Sequence, residues 1–112
     1  MASVATARKI ALACPEAVEG AHMGHPDFRV GGKIFMTLWP AKKQAVVKLP
    51  LADQQALVQM DPDAFSVGSW GRHGFTLVDL ARVNPAQLRV LADAAWRHVA
   101  TRRLLDKFPA AE

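Results

Sequence analysis

The stretch HPDFRVGGKIFMTL, residues 25–38, decides the fold. Asp27-Phe28-Arg29-Val30 and Lys33-Ile34-Phe35-Met36-Thr37-Leu38 are extended runs on either side of Gly31-Gly32. A Gly-Gly pair between such runs predicts a tight β-hairpin, because a type I′ turn needs positive φ at both central positions. In that register Val30 faces Lys33, Arg29 faces Ile34 and Phe28 faces Phe35. Trp39-Pro40 closes the second run and Lys42-Lys43 form a basic turn. Gln44 to Leu49 is a third strand, with Ala45, Val47 and Leu49 on one side.

Upstream, Ser3 caps a first helix whose apolar face is Val4, Ala7, Ile10, Ala11 and Cys14. Pro15 ends it, since the residue before a proline avoids the α region. Cys14 is thereby a small core residue rather than a nucleophile. Downstream, Pro50 to Met60 is a second helix, poorly capped because Pro50 and Leu51 stand where Ser, Thr or Asp would help. Phe65 to Val67 is a short strand, Gly68 to Gly74 a loop holding Ser69, Trp70, Arg72 and His73, and Phe75 to Leu80 another strand. The third helix starts most clearly, with Asn84 as cap, Pro85 at the first helical position and Gln87 completing a capping box. Its buried stripe is Leu88, Leu91, Ala92, Ala95, Trp96 and Val99, with Arg89-Asp93 and Asp93-Arg97 as ion pairs on the wet side. Thr101 caps a short last helix through Lys107. The order is helix, three strands, helix, two strands, helix, short helix. Tight turns imply antiparallel pairing, so the expected fold is α+β, an antiparallel sheet packed against helices in a two-layer sandwich.

A chain of 112 residues is expected to form one domain over residues 1–112. A single cysteine excludes an internal disulfide and a multi-cysteine metal site. The longest uncharged apolar run, Ile10 to Pro15, is far too short to span a membrane. The basic residues near the N-terminus lie inside an amphipathic pattern, unlike a signal peptide, and a cytoplasmic protein is expected. There are 14 Lys and Arg against 10 Asp and Glu, for a net charge of +4. The isoelectric point is near 9.7. Such a balance is a faint nucleic-acid footprint, and equally an ordinary basic surface.

Three segments together resemble one family: PEAVEGAHMGHPDFRVGGKIF (15–35), SWGRHGFTLVDL (69–80) and AAWRHVATRRL (94–104). They are similar to the MmcQ/YjbR family of small bacterial proteins, and the resemblance spans nearly the whole chain. It implies a frataxin/CyaY-like α+β sandwich with two β-hairpin wings and a DNA-binding role. The sequence departs from the family pattern at Phe75, where Trp is common, and at Ser69, where Gly is common. It also departs at Pro50, the usual Thr cap, and at Thr101, usually Pro.

Two basic hairpin tips carry the expected nucleic-acid surface. One offers Arg29 and Lys33 beside Gly31-Gly32, the other Trp70, Arg72 and His73, with Lys42-Lys43 and Arg102-Arg103 as further basic pairs. Cations would take phosphates and the aromatics would touch bases or sugars. Few side chains suit base edges, so sequence preference is expected to be low. An alternative is a non-enzymatic module binding a small ligand or protein in a cleft of Glu19, His25, Phe28, Lys33 and Trp70. A third reading gives Glu19, His22 and His25 metal or acid–base work. It is disfavoured, because His22 and His25 are an odd number of residues apart and point to opposite faces of an extended chain. No cofactor or metal is expected. There is no nucleophile elbow and no P-loop, and Gly68–Gly74 opens into a strand rather than the helix a dinucleotide fingerprint needs.

Overall fold

The Gly31-Gly32 turn sits at φ 58° and 78°, the left-handed values its type I′ geometry requires. It joins β2 (His25–Val30) to β3 (Lys33–Trp39) in a computed structural model that describes residues 1–110. Val30 pairs with Lys33 and Arg29 with Ile34, as the sequence implies. Beyond that the register shifts: Phe28 pairs with Met36, not with Phe35. The extra residue is a β-bulge, which lets the consecutive Phe35 and Met36 both be buried in the core, with Leu38 two residues on.

The remaining elements are α1 (Val4–Leu12), β1 (Val18–His22), β4 (Gln44–Lys48), α2 (Leu51–Met60), β5 (Phe65–Val67), β6 (Phe75–Asp79), α3 (Pro85–Val99) and α4 (Arg102–Lys107). Short 3₁₀ turns cover Pro40–Lys42, Gly71–His73 and Leu80–Arg82. One six-stranded sheet, β1-β2-β3-β4-β6-β5, is antiparallel at every pairing. The sequence reading missed β1, whose Glu19, Gly20 and Ala21 have low β-propensity and no apolar alternation. Its partner is secured by a turn at Met23-Gly24, with φ 51° and 80°.

Helices α1 and α3 lie against β3 and β4, on one face of the sheet. From the sheet the core receives Phe28, Val30, Phe35, Met36, Leu38, Ala45, Val47, Leu49 and Val78. From the helices it receives Ala7, Ile10, Leu88, Ala92, Ala95 and Trp96. Trp96 is 1% exposed and its indole N–H donates to the Pro15 carbonyl at 2.8 Å, tying α3 to the segment after α1. The caps form as expected: Ser3 accepts from Thr6, Asn84 and Gln87 make a reciprocal capping box, and Thr101 accepts from Leu104. No side chain caps α2 at Pro50. Of the two ion pairs expected on α3, Arg97–Asp93 forms at 2.9 Å and Arg89–Asp93 does not. Arg97 also donates to the Phe108 carbonyl, so the carboxylate is drawn toward the C-terminal side of the helix.

Strand polarity decides where the loops go. Because β3, β4 and β6 alternate in direction, the Gly31-Gly32 turn and the 68–74 loop leave the sheet at the same end. The Met23-Gly24 turn and the Trp39–Lys43 turn leave at the other. No helix among the described residues is long and apolar enough to cross a membrane.

Candidate functional site

The face of the sheet opposite α1 and α3 carries a groove of about 700 Å³. Alternation along the strands builds it. Residues whose neighbours fill the core turn their own side chains outward: Ile34, Thr37 and Trp39 on β3, Gln44 and Val46 on β4, Phe75 and Leu77 on β6. His22 and Met23 wall it at one end, and Ser69 and Trp70 at the other. The floor is apolar, and the polar groups are few and peripheral.

Two of its aromatics are already engaged. The His25 ring stacks on Trp39, with centroids 4.0 Å apart and planes 14° apart. The Lys42 ammonium lies 4.8 Å from the Trp39 ring centre, and Lys48 lies 5.3 Å from Phe75. Trp70 is different: it is 66% exposed. Its loop is held from below by Gln54 of α2, a buried amide. Gln54 Nε2 donates to the carbonyls of Gly71 at 2.9 Å and Phe75 at 3.2 Å, and to Thr76 Oγ1 at 3.2 Å. Gly74 closes the loop at φ 92°, where a Cβ would lie 2.2 Å from the Leu49 carbonyl oxygen.

Beside the groove lies a buried acid. Asp27 is fully buried and receives Arg29 twice, Nε on Oδ1 at 2.9 Å and a terminal nitrogen on Oδ2 at 3.0 Å. His22 Nδ1 lies 2.8 Å from Oδ2. Arg29, donating to the carboxylate, holds Asp27 below its ordinary value; burial opposes this and His22 adds to the lowering. Gly20, the cross-strand neighbour of Asp27, leaves room for the pair, since a Cβ there would come within 3.0 Å of Oδ1.

The structure redistributes the residues singled out from the sequence. Arg29 is committed to Asp27 rather than to the hairpin tip. Arg102 and Arg103 are occupied by Asp106 at 3.6 Å and Glu16 at 3.2 Å. Lys33, Lys43, Arg72 and His73 are exposed, and Lys42 lines the groove. Among the described residues, Lys33, Lys42, Lys43, Lys48 and Arg72 make no ion pair, whereas Arg8, Arg29, Arg97, Arg102 and Arg103 all do.

The cleft expected from Glu19, His25, Phe28, Lys33 and Trp70 does not assemble. Phe28 is fully buried on the helix side, and Glu19 turns to that side to pair with Arg8 at 2.7 Å. Lys33 stands opposite Val30 at the hairpin end, away from the groove. Only His25 and Trp70 of that set reach the groove.

His22 and His25 also differ from expectation. The missed hairpin makes them a cross-strand pair on one face, 6.5 Å apart between ring centres. No group of three metal-ligating side chains occurs among the described residues. Cys14 is half-buried, and burial pushes its thiol up to about 11, with Asp93 adding and Arg97 opposing. A thiol so weakly acidic is a poor nucleophile near neutral pH.

Sequence reasoning missed Trp39, Phe75, Ile34, Val46 and Leu77 as groove residues. A signal was present for Val46, the outward member of the strand whose Ala45, Val47 and Leu49 share one side; for Ile34, Trp39, Phe75 and Leu77 it would have been the same alternation.

A crystal structure of the Deinococcus radiodurans protein DR2400, a DUF419 domain, superposes with a TM-score of 0.81. It covers 96% of this chain and 88% of that one at 16% identity, a likeness of fold. Among curated proteins no significant match is found. The YjbR family model matches residues 12–98, from the end of α1 to the last turn of α3, so it takes in the whole sheet, the groove and Asp27. The chain belongs to the YjbR family.

Proposed function

We propose that this protein is a non-enzymatic nucleic-acid-binding module of low sequence preference, contacting the phosphate backbone from the open face of the sheet and its loops. The observation that carries this reading is a set of unpaired cations beside aromatic rings at the open face. In the helical layer four arginines are matched to carboxylates, at Arg8–Glu19, Arg97–Asp93, Arg102–Asp106 and Arg103–Glu16, while Lys9, Arg89 and Lys107 make no ion pair among the described residues. At the open face Lys42 and Lys48, and Arg72 in the 68–74 loop, are left without acidic partners among the described residues, while Lys43 lies beside Met1–Val4 at the start of α1. Unmatched cations beside exposed aromatics are what a polyanion with π-faces requires. Arg29, Arg102 and Arg103, counted as phosphate ligands from the sequence, already face Asp27, Asp106 and Glu16, so the reading leans less on them.

The test is fluorescence anisotropy with labelled nucleic acid at about 50 and 200 mM salt, where four phosphate contacts predict a loss of roughly fifty- to a hundredfold in affinity. A slope about half that of wild type in Lys42→Ala/Lys48→Ala is the expected outcome; no binding at micromolar protein in low salt overturns the reading.

A second reading is favoured by one observation, the apolar floor of the groove. A volume of about 700 Å³ lined mainly by hydrocarbon and aromatic surface also suits a small amphipathic ligand. A thermal-shift screen that finds such a ligand in the absence of any nucleic-acid binding would favour it.

A further inference from the structure

We infer that the groove takes single-stranded nucleic acid, with an unstacked base lying on Trp70 and the backbone following Lys42 and Lys48, rather than a duplex gripped by the hairpin tips. This rests on the nucleic-acid reading above and narrows it to one form of ligand.

The floor supplies the first reason. Ile34, Val46 and Leu77 offer apolar surface, flanked by Phe75 and Trp39. A duplex hides its base faces inside the stack and offers phosphates and groove edges, so it gains little from such a floor. A single strand exposes those faces, which stack on aromatic side chains and tolerate any sequence.

The aromatics then divide by availability. Trp39 carries His25 in a close parallel stack and Phe75 carries the Lys48 ammonium. Trp70 meets His73 at 5.8 Å and a 38° tilt, which leaves most of its surface open. The Gln54 hydrogen bonds anchor the base of its loop, so the ring is presented on a braced segment.

Met23, at the opposite end, points the same way. It is 91% exposed and holds φ 51°, a left-handed conformation that disfavours a non-glycine residue. No core packing requires methionine there; Gly or Asn would serve the turn. What methionine adds is an adaptable apolar wall facing Trp70 across the groove.

Charge completes the fit. Lys42 and Lys48 each sit beside an aromatic ring, so cations alternate with rings as phosphates alternate with bases. Two acids lie on this face: Asp27 is buried under Arg29 and His22, and Asp79, opposite Gln44 at the groove edge, accepts the Ala81 N–H on Oδ1.

The experiment compares a short labelled oligothymidylate, an oligouridylate and a mixed-sequence duplex by anisotropy, with wild type, Trp70→Ala, Trp70→Phe and Lys48→Ala. Urea unfolding of each variant is run alongside, to show that the fold is intact. The expected result is single-strand binding at least tenfold tighter than duplex. Trp70→Ala should weaken it by roughly tenfold. Trp70→Phe should retain most of the affinity, and Lys48→Ala should flatten the salt slope by about 0.7. Duplex bound as tightly as single strand, or Trp70→Ala without effect on single strands, overturns the inference and leaves the broader reading standing. No binding of any of the three overturns both.

Discussion

Trp96 and Trp70 stand on opposite sides of one sheet. Trp96, from α3, is 1% exposed and its N–H is spent on the Pro15 carbonyl. Trp70, from the 68–74 loop, is 66% exposed at the rim of the open face. Several helical-layer arginines, Arg8, Arg97, Arg102 and Arg103, meet carboxylates, while Lys42 and Lys48 lie over aromatic rings and make no ion pair among the described residues. Both faces are rich in apolar side chains, yet only one is closed by helices. The fold completes its core with one face and leaves the other, apolar and flanked by Lys42 and Lys48, uncovered by α1 and α3.

The widest gap between the faces is expected in stability. Trp96→Ala should cost about 3–5 kcal/mol, read as a lower urea midpoint at unchanged slope, because it opens a cavity between α3 and the sheet. A loss under about 1 kcal/mol would mean that the helical layer is not the principal core.

Asp27 is the one strongly buried charge on the open side, and its removal comes next. Asp27→Asn should cost about 1–2 kcal/mol, since it unpairs Arg29 and His22. Its pH behaviour checks the cause. A carboxyl held low in the folded protein contributes stability that is present above its unfolded value, near 4, and lost as pH falls through the lower folded value. Wild type should therefore lose stability on acidification below about pH 4 more steeply than Asp27→Asn. Parallel curves would remove the Arg29–Asp27 pair as the source.

Met23→Asn acts in the opposite direction. Asn accepts positive φ more readily than Met, so the variant should gain up to about 1 kcal/mol in stability. It should at the same time bind single strands a few-fold more weakly. A gain in stability with unchanged affinity would detach the Met23 turn from the site.

Trp70→Ala is the smallest expected change in stability, within about 0.5 kcal/mol, although it should have the largest effect on binding. A large stability loss there would place Trp70 with Trp96 and erase the contrast between the faces.

What could be read locally was read correctly where local chemistry decides it. Gly31-Gly32 dictates its turn because positive φ at both positions admits little else, and Asn84, Pro85 and Gln87 dictate the start of α3 through their own hydrogen bonds. The Ala45, Val47, Leu49 alternation places one side of β4 in the core. β1 was not legible, because Val18–His22 owes its strand conformation to pairing with β2 rather than to its residues. The Phe28–Phe35 register failed for a related reason: the bulge satisfies core packing and leaves no local mark.

The candidate site divides in the same way. The sequence alone established the α+β class, the basic balance, the YjbR resemblance and the presence of Trp70, Arg72 and His73 in the 68–74 loop, whereas the exposure of Trp70 is a tertiary fact. Only tertiary structure decided which cations are spent and which are free, since Arg29, Arg102 and Arg103 are distinguished from Lys42 and Lys48 by carboxylates that folding brings to them. Only tertiary structure made one groove of residues on β2, β3, β4, β6 and two distant turns. Alternation tells which side chains share a face of one strand, but strand order and the coverage of one face by helices determine which faces meet, and those depend on contacts far apart in the chain.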